Sequence, residues 1–329
     1  MVTSKPRIFI VVPNYRQVGG IAKMLDYAVH ADSQRYEVWF ATNTNQHANA
    51  GLTAKPYYQR SPHEIQFTLL DRADLRDGDM VMISLPSDFY RVLERAKALG
   101  YPDIRFIHLI QNVRHNNVFF DKSMARDLLM KNMPRICITD QVYDAVKRLV
   151  PDEELLELNF HGFDFEFFRR PSIKANRTLR LGYNLFKSNF GEKVREACEA
   201  RGLPVEFEVV PRGVSWENLR AAYHACDAFI GTPLREEGYY LPGIEALAGG
   251  DILICSDAVG NRSYLAAEAA LTVGYEDVDD YLAKIDALLA MTPQARERLQ
   301  AAAVDFASQF SLEMEKQGFR AFLAEHMEA

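Results

Sequence analysis

The sequence predicts an α/β protein with two doubly wound domains, each built on a parallel sheet between helices. Short apolar runs alternate with longer stretches of helical spacing, an order typical of parallel βαβ units. The runs are continuously apolar, as in strands that are covered on both faces. The chain of 329 residues is also long enough for two domains, each with its own core.

The first half of the chain shows this alternation from its first apolar run. Residues 8–12 form a β-rich run, and residues 21–31 have helical spacing. Both patterns then recur as far as residue 162. Further strands are predicted at 38–42, 80–85, 104–110 and 136–139, and further helices at 89–99, at 122–131 and after a cap at Thr139.

A polar segment interrupts the alternation. Residues 162–177 lack apolar periodicity, and Arg169-Arg170-Pro171-Ser172 is typical of a linker. We leave open whether the C-terminal helix packs back on the first domain. The predicted divisions are a first domain at 1–165, a linker at 166–177, a second domain at 178–310 and the C-terminal helix at 311–329.

The second half repeats the whole α/β pattern once. Two such domains in tandem predict an interdomain cleft at the carboxyl ends of the two sheets, where open α/β sheets bind ligands. A helix opened by an acidic cap is expected at 277–280. The other predictions are strands at 179–183, 205–210, 228–231, 252–255 and 271–273, and helices at 190–201, 215–224, 241–248, 292–308 and 312–327.

The charge distribution argues against a nucleic-acid partner. The net charge is −7; residues 1–165 carry 20 basic and 20 acidic side chains, and residues 166–329 carry 18 and 25. A general polyanion binder would need a basic surface. A small phosphate-bearing ligand needs only one Lys and a few backbone N–H groups, so it stays compatible with this charge.

The cysteines and the N-terminal segment indicate a cytoplasmic protein. The four cysteines lie far apart, in apolar runs or on predicted helices, as reduced core residues do. The apolar run at 8–12 is too short for a signal sequence or a membrane span. Peripheral attachment at the inner face of a membrane stays open, and so does the oligomeric state.

The strongest chemical signal lies at residues 235–250, which read Arg-Glu-Glu-Gly-Tyr-Tyr-Leu-Pro-Gly-Ile-Glu-Ala-Leu-Ala-Gly-Gly. Pro242 suits the first turn of a helix, so Glu237 precedes the helix and Glu245 projects from it. Backbone N–H groups at a helix start can hold an anion. An anion site flanked by two carboxylates suits a nucleotide sugar. The residues at the predicted helix start are Gly238, Tyr239, Tyr240 and Leu241.

This segment resembles the E-x7-E region of retaining GT-B glycosyltransferases, whose usual form is similar to E-G-F-G-L-P-x-x-E-A-x-A-x-G. Residues 259–265, Val-Gly-Asn-Arg-Ser-Tyr-Leu, are similar to the family's G-G-N-x-E-x-L. The resemblance implies two Rossmann-like domains, with Glu245 on the ribose hydroxyls and Glu237 as a catalytic residue at the donor sugar. Tyr240 stands where the family usually has Gly, which implies a narrower pocket, a re-aimed sugar, lost activity or a packed core aromatic.

Two further segments match the family less specifically. Gly19 and Gly20 follow the first strand; by resemblance they border the donor phosphates and the acceptor. Lys187 follows the first strand of the second domain, where relatives carry an Arg and a Lys that hold the donor diphosphate. Lys187 matches the Lys, and Phe186 or Asn184 replaces the Arg, so this pair of cations is incomplete.

A polar strand end follows residue 110 in the first domain. It resembles the Y-F-I-Q-D strand end of rhamnosyltransferase-like members, and Gln111 takes the position where many relatives place a catalytic His. Arg114 and His115 are candidates for the acceptor side. His108 lies inside the strand and is expected in the core.

The resemblance implies transfer of a sugar from a nucleoside diphosphate donor to a hydroxyl of a glycan or lipid-linked glycan, with retention at the anomeric carbon. No cofactor and no metal are expected: no Cys/His spacing fits zinc, and Asp77-Gly78-Asp79 precedes a strand, as a turn would. Two alternatives remain. One is a retired GT-B protein that only binds nucleotide or glycan, and the other is a GT-B-fold nucleotide-sugar epimerase.

Overall fold

The chain divides into two compact units, Met1–His161 with Leu312–Ala329 and Gly162–Ser311. The computed structural model describes residues 5–16, 18–43, 50–61, 64–101, 103–113 and 123–327. Each unit has a parallel sheet with helices packed against it. The α/β class predicted from the sequence is therefore confirmed.

In its described residues, the first unit contains a seven-stranded sheet in the order β3-β2-β1-β4-β5-β6-β7. Every pair is parallel. The strands are β1 (Arg7–Val12), β2 (Glu37–Thr42), β3 (Ile65–Leu69), β4 (Met80–Ile83), β5 (Arg105–Ile110), β6 (Arg135–Cys137) and β7 (Leu156–Leu158). The helices are α1 (Gly19–His30), α2 (Ala50–Thr53), α3 (Pro56–Arg60), α4 (Pro86–Leu99), α5 (Ser123–Leu129), α6 (Asp140–Val146) and α14 (Leu312–His326).

The second unit contains a five-stranded parallel sheet in the order β12-β11-β10-β8-β9. Its strands are β8 (Leu179–Asn184), β9 (Val205–Val210), β10 (Ala228–Gly231), β11 (Ile252–Ser256) and β12 (Ala270–Val273). Its helices are α7 (Phe165–Phe168), α8 (Phe190–Ala200), α9 (Trp216–Ala225), α10 (Leu241–Ala248), α11 (Arg262–Leu265), α12 (Val278–Ala290) and α13 (Pro293–Ala307).

Most predicted elements are present, and the missed strands lie at the sheet edges. Strands β3 and β7 are both edge strands, and neither has the continuous apolar run of a central strand. Strand β3 contains Gln66 and Thr68, and β7 is only three residues long. The predicted caps at Thr139 and Asp277 are confirmed, since each side chain accepts a main-chain N–H. All four cysteines are buried and free.

A buried ion network joins helix α14 to helix α1 within the first unit. The Lys23 ammonium lies 2.6 Å from Glu315 Oε2 and 3.0 Å from Asp26 Oδ2. His30 Nε2 lies 2.9 Å from Glu315 Oε2, and His161 Nδ1 lies 3.2 Å from Glu315 Oε1. Glu315 itself is 0% exposed. The end of the first unit is therefore held by a carboxylate that has no access to water.

The network fixes the protonation states of its members. Burial alone would raise the pKa of Glu315, but Lys23 and the two histidines hold this pKa well below its usual value. Burial lowers the pKa of His30, and it lowers the pKa of His161 to about 4. Both histidines are therefore neutral at pH 7, where Lys23 balances the charge of Glu315.

We predict that Glu315→Gln lowers the free energy of unfolding of the first unit by about 3–5 kcal/mol, because it leaves the buried Lys23 charge without this partner. Urea unfolding followed by the fluorescence of Trp39 in a Trp216→Phe background measures this unit. Glu313→Gln is the control on the same helix: Glu313 is exposed, so its loss should cost below about 1 kcal/mol. Equal effects of the two variants would contradict the role of Glu315.

We also predict that the first unit loses stability as the pH falls from 6.5 to about 4. In this window the unfolded chain protonates His161 and the native unit does not, so each proton bound favours unfolding. The full shift of the His161 pKa corresponds to about 3 kcal/mol of unfolding free energy. The lowered pKa of His30 acts in the same direction. His161→Gln should flatten the profile of unfolding free energy against pH between 4 and 6.5. A profile of unchanged slope would show that His161 is not responsible.

Candidate active site

The second unit has one point where its strand order reverses, between β8 and β10. Strand β9 lies on one side of β8 and β10 on the other, so the loops after β8 and β10 leave the sheet side by side. Open α/β sheets bind ligands in the crevice at such a point. The first unit has the equivalent point between β1 and β4.

Three of the four helices that follow these strands begin without a side-chain cap. Among the described residues, no side chain accepts the first N–H groups of α1, α4 or α10, whereas Phe190 N–H at the start of α8 donates to Ser188 Oγ at 3.0 Å. By contrast, α9, α12 and α13 are capped by Ser215, Asp277 and Thr292. Uncapped helix starts leave N–H donors and a partial positive charge for water or for an anionic ligand. At the second-unit crevice, helix α10 has such a start.

Lys187 and Glu237 meet across this crevice. Lys187 lies in the loop after β8 and Glu237 in the loop after β10, and Lys187 Nζ is 3.2 Å from Glu237 Oε1. The Lys187 side chain is 40% exposed, whereas Glu237 is 4% exposed. Glu237 Oε1 also accepts the N–H of Leu234 at 3.3 Å. The carboxylate is thus held by its own loop, while the ammonium stays accessible to a ligand.

Glu245 lies one turn inside helix α10 and is 7% exposed. The hydroxyl of Tyr223 donates to Glu245 Oε2 at 3.2 Å. Burial, with the nearby Glu245 charge, raises the pKa of Tyr223 well above its usual value, so the hydroxyl keeps its proton. A carboxylate has about four acceptor positions, and the bond from Tyr223 occupies one of them and orients Glu245.

The loop after β11 holds the Glu237 loop through its main chain. Glu237 N–H donates to the Ala258 carbonyl at 3.0 Å, and Gly260 N–H donates to the Glu237 carbonyl at 3.1 Å. A Cβ on Gly260 would lie 2.1 Å from the carbonyl oxygen of Gly238. Only glycine permits this approach, so Gly260 sets the position of Glu237.

Asn261 and Tyr264 complete this support. Asn261 is buried, accepts the N–H of Ala258 at 2.8 Å and donates to the Ser256 carbonyl at 3.0 Å. The Tyr264 hydroxyl donates to the Tyr240 carbonyl at 2.6 Å, at the start of α10. Residues 259–265 therefore build the wall behind the candidate site. The sequence indicated this segment only by resemblance and did not predict its structural role.

The Tyr240 ring lies in the core and does not line the crevice. It is 1% exposed, and its hydroxyl accepts the N–H of Thr232 at 3.2 Å. Of the alternatives that the sequence left open, the structure supports the packed core aromatic. Tyr240 was predicted among the donor-binding residues, and its buried ring cannot stack on a sugar. The main chain at Gly238, Tyr239, Tyr240 and Leu241 still leads into the uncapped start of α10.

The first unit brings Gly19, Gly20 and Gln111 together at its own reversal point. Both glycines open helix α1, and Gln111 Nε2 donates to the Gly20 carbonyl at 3.3 Å and to Ser84 Oγ at 3.0 Å. His108 is fully buried in β5, as predicted. Arg114 and His115, predicted on the acceptor side, lie outside the described residues.

Two acidic groups bear on metal binding. Asp77-Gly78-Asp79 is a turn, as predicted, and Asp79 pairs with Arg7. Glu157, Glu325 and His326 place ligand atoms within 4.8 Å of one another in the first unit, a group that sequence analysis did not predict. Its carboxylates and imidazole could accept a metal ion, far along the chain from the Glu237 segment.

The folds of known proteins agree with this architecture. HepE of Anabaena in complex with UDP has a TM-score of 0.71 at 12% identity, over 97% of this chain and 99% of that chain. A glycosyltransferase from Rickettsia africae has a TM-score of 0.70 at 12% identity, over 98% and 99%. Sucrose-phosphate synthase from Thermosynechococcus elongatus has a TM-score of 0.68 at 14% identity, over 97% and 100%. The fold is that of the GT-B glycosyltransferases.

The sequence itself matches one family. Residues 174–305 match the family described as glycosyl transferases group 1, and this range contains Lys187, Glu237 and Glu245. No curated protein matches the chain in sequence. None of the described helices has the length and apolar character that a membrane crossing requires.

We predict that Gly260→Ala lowers the stability of the second unit by about 1–3 kcal/mol, because the new methyl group collides with the main chain of the Glu237 loop. Urea unfolding followed by Trp216 fluorescence in a Trp39→Phe background measures the loss. Gly20→Ala in the first unit, followed through Trp39 in a Trp216→Phe background, is the control, since its nearest neighbour would be an ordinary 3.6 Å contact with Gln111. A Gly260→Ala variant of unchanged stability would refute the close approach.

Proposed function

We propose that the protein is a glycosyltransferase that moves a sugar from a nucleoside diphosphate sugar to a hydroxyl group of an acceptor. The observation that carries this proposal is the arrangement at the second-unit crevice. An accessible ammonium at Lys187, two nearly buried carboxylates at Glu237 and Glu245, and the uncapped start of α10 belong to a segment that matches glycosyl transferases group 1.

Each part of the donor has a chemical counterpart in this arrangement. The diphosphate suits Lys187 and the N–H groups at the helix start. Ribose hydroxyls suit the Glu245 carboxylate, which Tyr223 orients. The sugar hydroxyls suit Glu237. HepE has been solved in complexes with UDP and with UDP-glucose, which makes uridine nucleotides the first ligands to test.

The reaction we propose breaks the bond between the anomeric carbon and the diphosphate oxygen and forms a bond from that carbon to the acceptor oxygen. Lys187 and the helix-start donors stabilise the charge that develops on the leaving diphosphate. The acceptor attacks on the same face, and its proton passes to the departing phosphate oxygen, so the anomeric configuration is retained. This route requires no metal and no protein nucleophile. The acceptor we propose is a glycan or a lipid-linked glycan.

We predict that the two glutamates contribute to different steps. Glu245→Ala should weaken binding of a nucleoside diphosphate and of its sugar conjugate alike, by roughly 1.5–3 kcal/mol, because both carry the ribose. Glu237→Gln should leave nucleoside diphosphate affinity at or above that of the wild type, since it removes the carboxylate that pairs with Lys187. It should instead lower kcat, because the sugar contacts strengthen in the transition state.

Calorimetric titration with UDP, GDP and dTDP, and turnover with the corresponding sugar nucleotides, measure both effects. Equal loss of nucleoside diphosphate binding in the two variants would contradict the assignment. Release of free sugar from the donor without an acceptor separates an active transferase from a retired binding protein, which would release none.

A further inference from the structure

The three charged side chains described at the candidate site do not favour the diphosphate of the proposed donor. Lys187 pairs with Glu237, and Glu245 adds a second carboxylate, so these three side chains sum to a net negative charge. A diphosphate brings further negative charge into the same crevice. A second cation close to Lys187 would offset this repulsion and strengthen diphosphate binding. The inference below rests on the proposed function.

Strand β8 does not supply this cation. Asn184 is buried, and its Oδ1 accepts the N–H of Phe186 at 3.2 Å, which closes the turn at the strand end. Phe186 is apolar. The two positions at which the resemblance implies an Arg are thus occupied by a turn-forming amide and a phenyl ring.

The neighbouring strand brings a cation to the same level. Strands β8 and β9 pair in parallel up to Asn184 opposite Val210, and the Leu185 N–H extends the ladder to the Val210 carbonyl at 3.1 Å. Two residues further along this register, Arg212 lies level with Phe186. A hydrogen bond agrees with this register: Arg212 Nε donates to the Leu185 carbonyl at 2.6 Å.

The geometry of Arg212 leaves it ready for a ligand. Its side chain is exposed, and Nε–H is its one hydrogen-bonding group with a partner among the described residues. Pro211 restricts the backbone before it, and Gly213 has a φ of 77° after it, so a tight turn presents the side chain at the sheet edge. A guanidinium fixed through Nε offers its two terminal nitrogens to phosphate oxygens as a planar pair of donors.

We infer that Arg212 binds the donor diphosphate together with Lys187. Arg212 follows strand β9 and supplies the positive charge that the resemblance implies at the end of β8. The two cations approach from adjacent loops, since Leu185, to which Arg212 bonds, is only two residues from Lys187. A two-residue step spans at most about 7 Å, which brings both side chains within reach of one diphosphate.

The test compares a nucleoside diphosphate with its bare nucleoside. UDP, GDP and dTDP are titrated into the wild type, and the tightest binder is carried forward with its nucleoside. Arg212→Gln should weaken diphosphate binding by about 10- to 100-fold, the worth of hydrogen bonds to a charged group, and leave nucleoside binding unchanged. The diphosphate affinity of Arg212→Lys should lie between those of the wild type and Arg212→Gln, because lysine keeps the charge without the planar donor pair.

Arg180→Gln is the matched control. Arg180 lies at the amino end of strand β8, whereas Lys187 follows its carboxyl end; it is partly exposed and pairs with Glu206 of β9, so its loss should leave diphosphate affinity unchanged. Wild-type affinity in Arg212→Gln would overturn the inference and leave the proposed function standing. Equal loss for diphosphate and nucleoside would overturn it as well. Failure of the wild type to bind any of the three diphosphates would overturn the proposed function and the inference together.

Discussion

The parallel order of the two sheets is the constraint on which the candidate site depends. Parallel strands all end at one edge, so the loops that follow them collect there. Where the strand order reverses, two of these loops border a crevice. In the second unit these two loops carry Lys187 and Glu237. Their contact therefore follows from the topology, although the two residues are 50 positions apart in sequence. The same constraint brings Gln111 and Gly20 together in the first unit.

The rigidity of the second-unit site comes from buried hydroxyls and main-chain bonds. Tyr223 orients Glu245, Tyr264 fixes the start of α10, and Tyr281 donates to the Gly231 carbonyl at 2.7 Å where β10 ends. The loop behind Glu237 also contains Val259, whose φ of 67° is unfavourable for a β-branched residue. Strain of this kind persists only where the surrounding bonds determine the backbone, as they do here. The surrounding bonds thus hold Val259 in an unfavourable backbone conformation, and the loop that contains Val259 positions Glu237.

The sequence predicted what depends on local pattern and failed where distant residues meet. The bounds of β9, β10 and α10 agree with their apolar runs and with Pro242, because burial on both faces and helix initiation leave direct marks in sequence. The sequence indicated Gly260 only through its match to a family pattern. The contact that requires glycine there is made with the main chain of Gly238, and sequence alone does not show it. Arg212 and Tyr223 gave no signal, because strand register and a buried hydroxyl decide their importance. Glu315 looked like any charged residue of an amphipathic helix until its partners 285 and 292 residues away were known.

The ion pair of Glu315 also sets an order of events during synthesis of the chain. Lys23 emerges from the ribosome early, but Glu315 follows only after the whole second unit, residues 162–311, has been made. At about 5–20 residues per second, synthesis of the second unit alone takes roughly 8–30 s. During it, the first unit contains a buried lysine without its closest carboxylate, while the second unit is a continuous segment that can already fold. The second unit can therefore be complete first, and the first unit gains its last helix and the Lys23–Glu315 pair only afterwards.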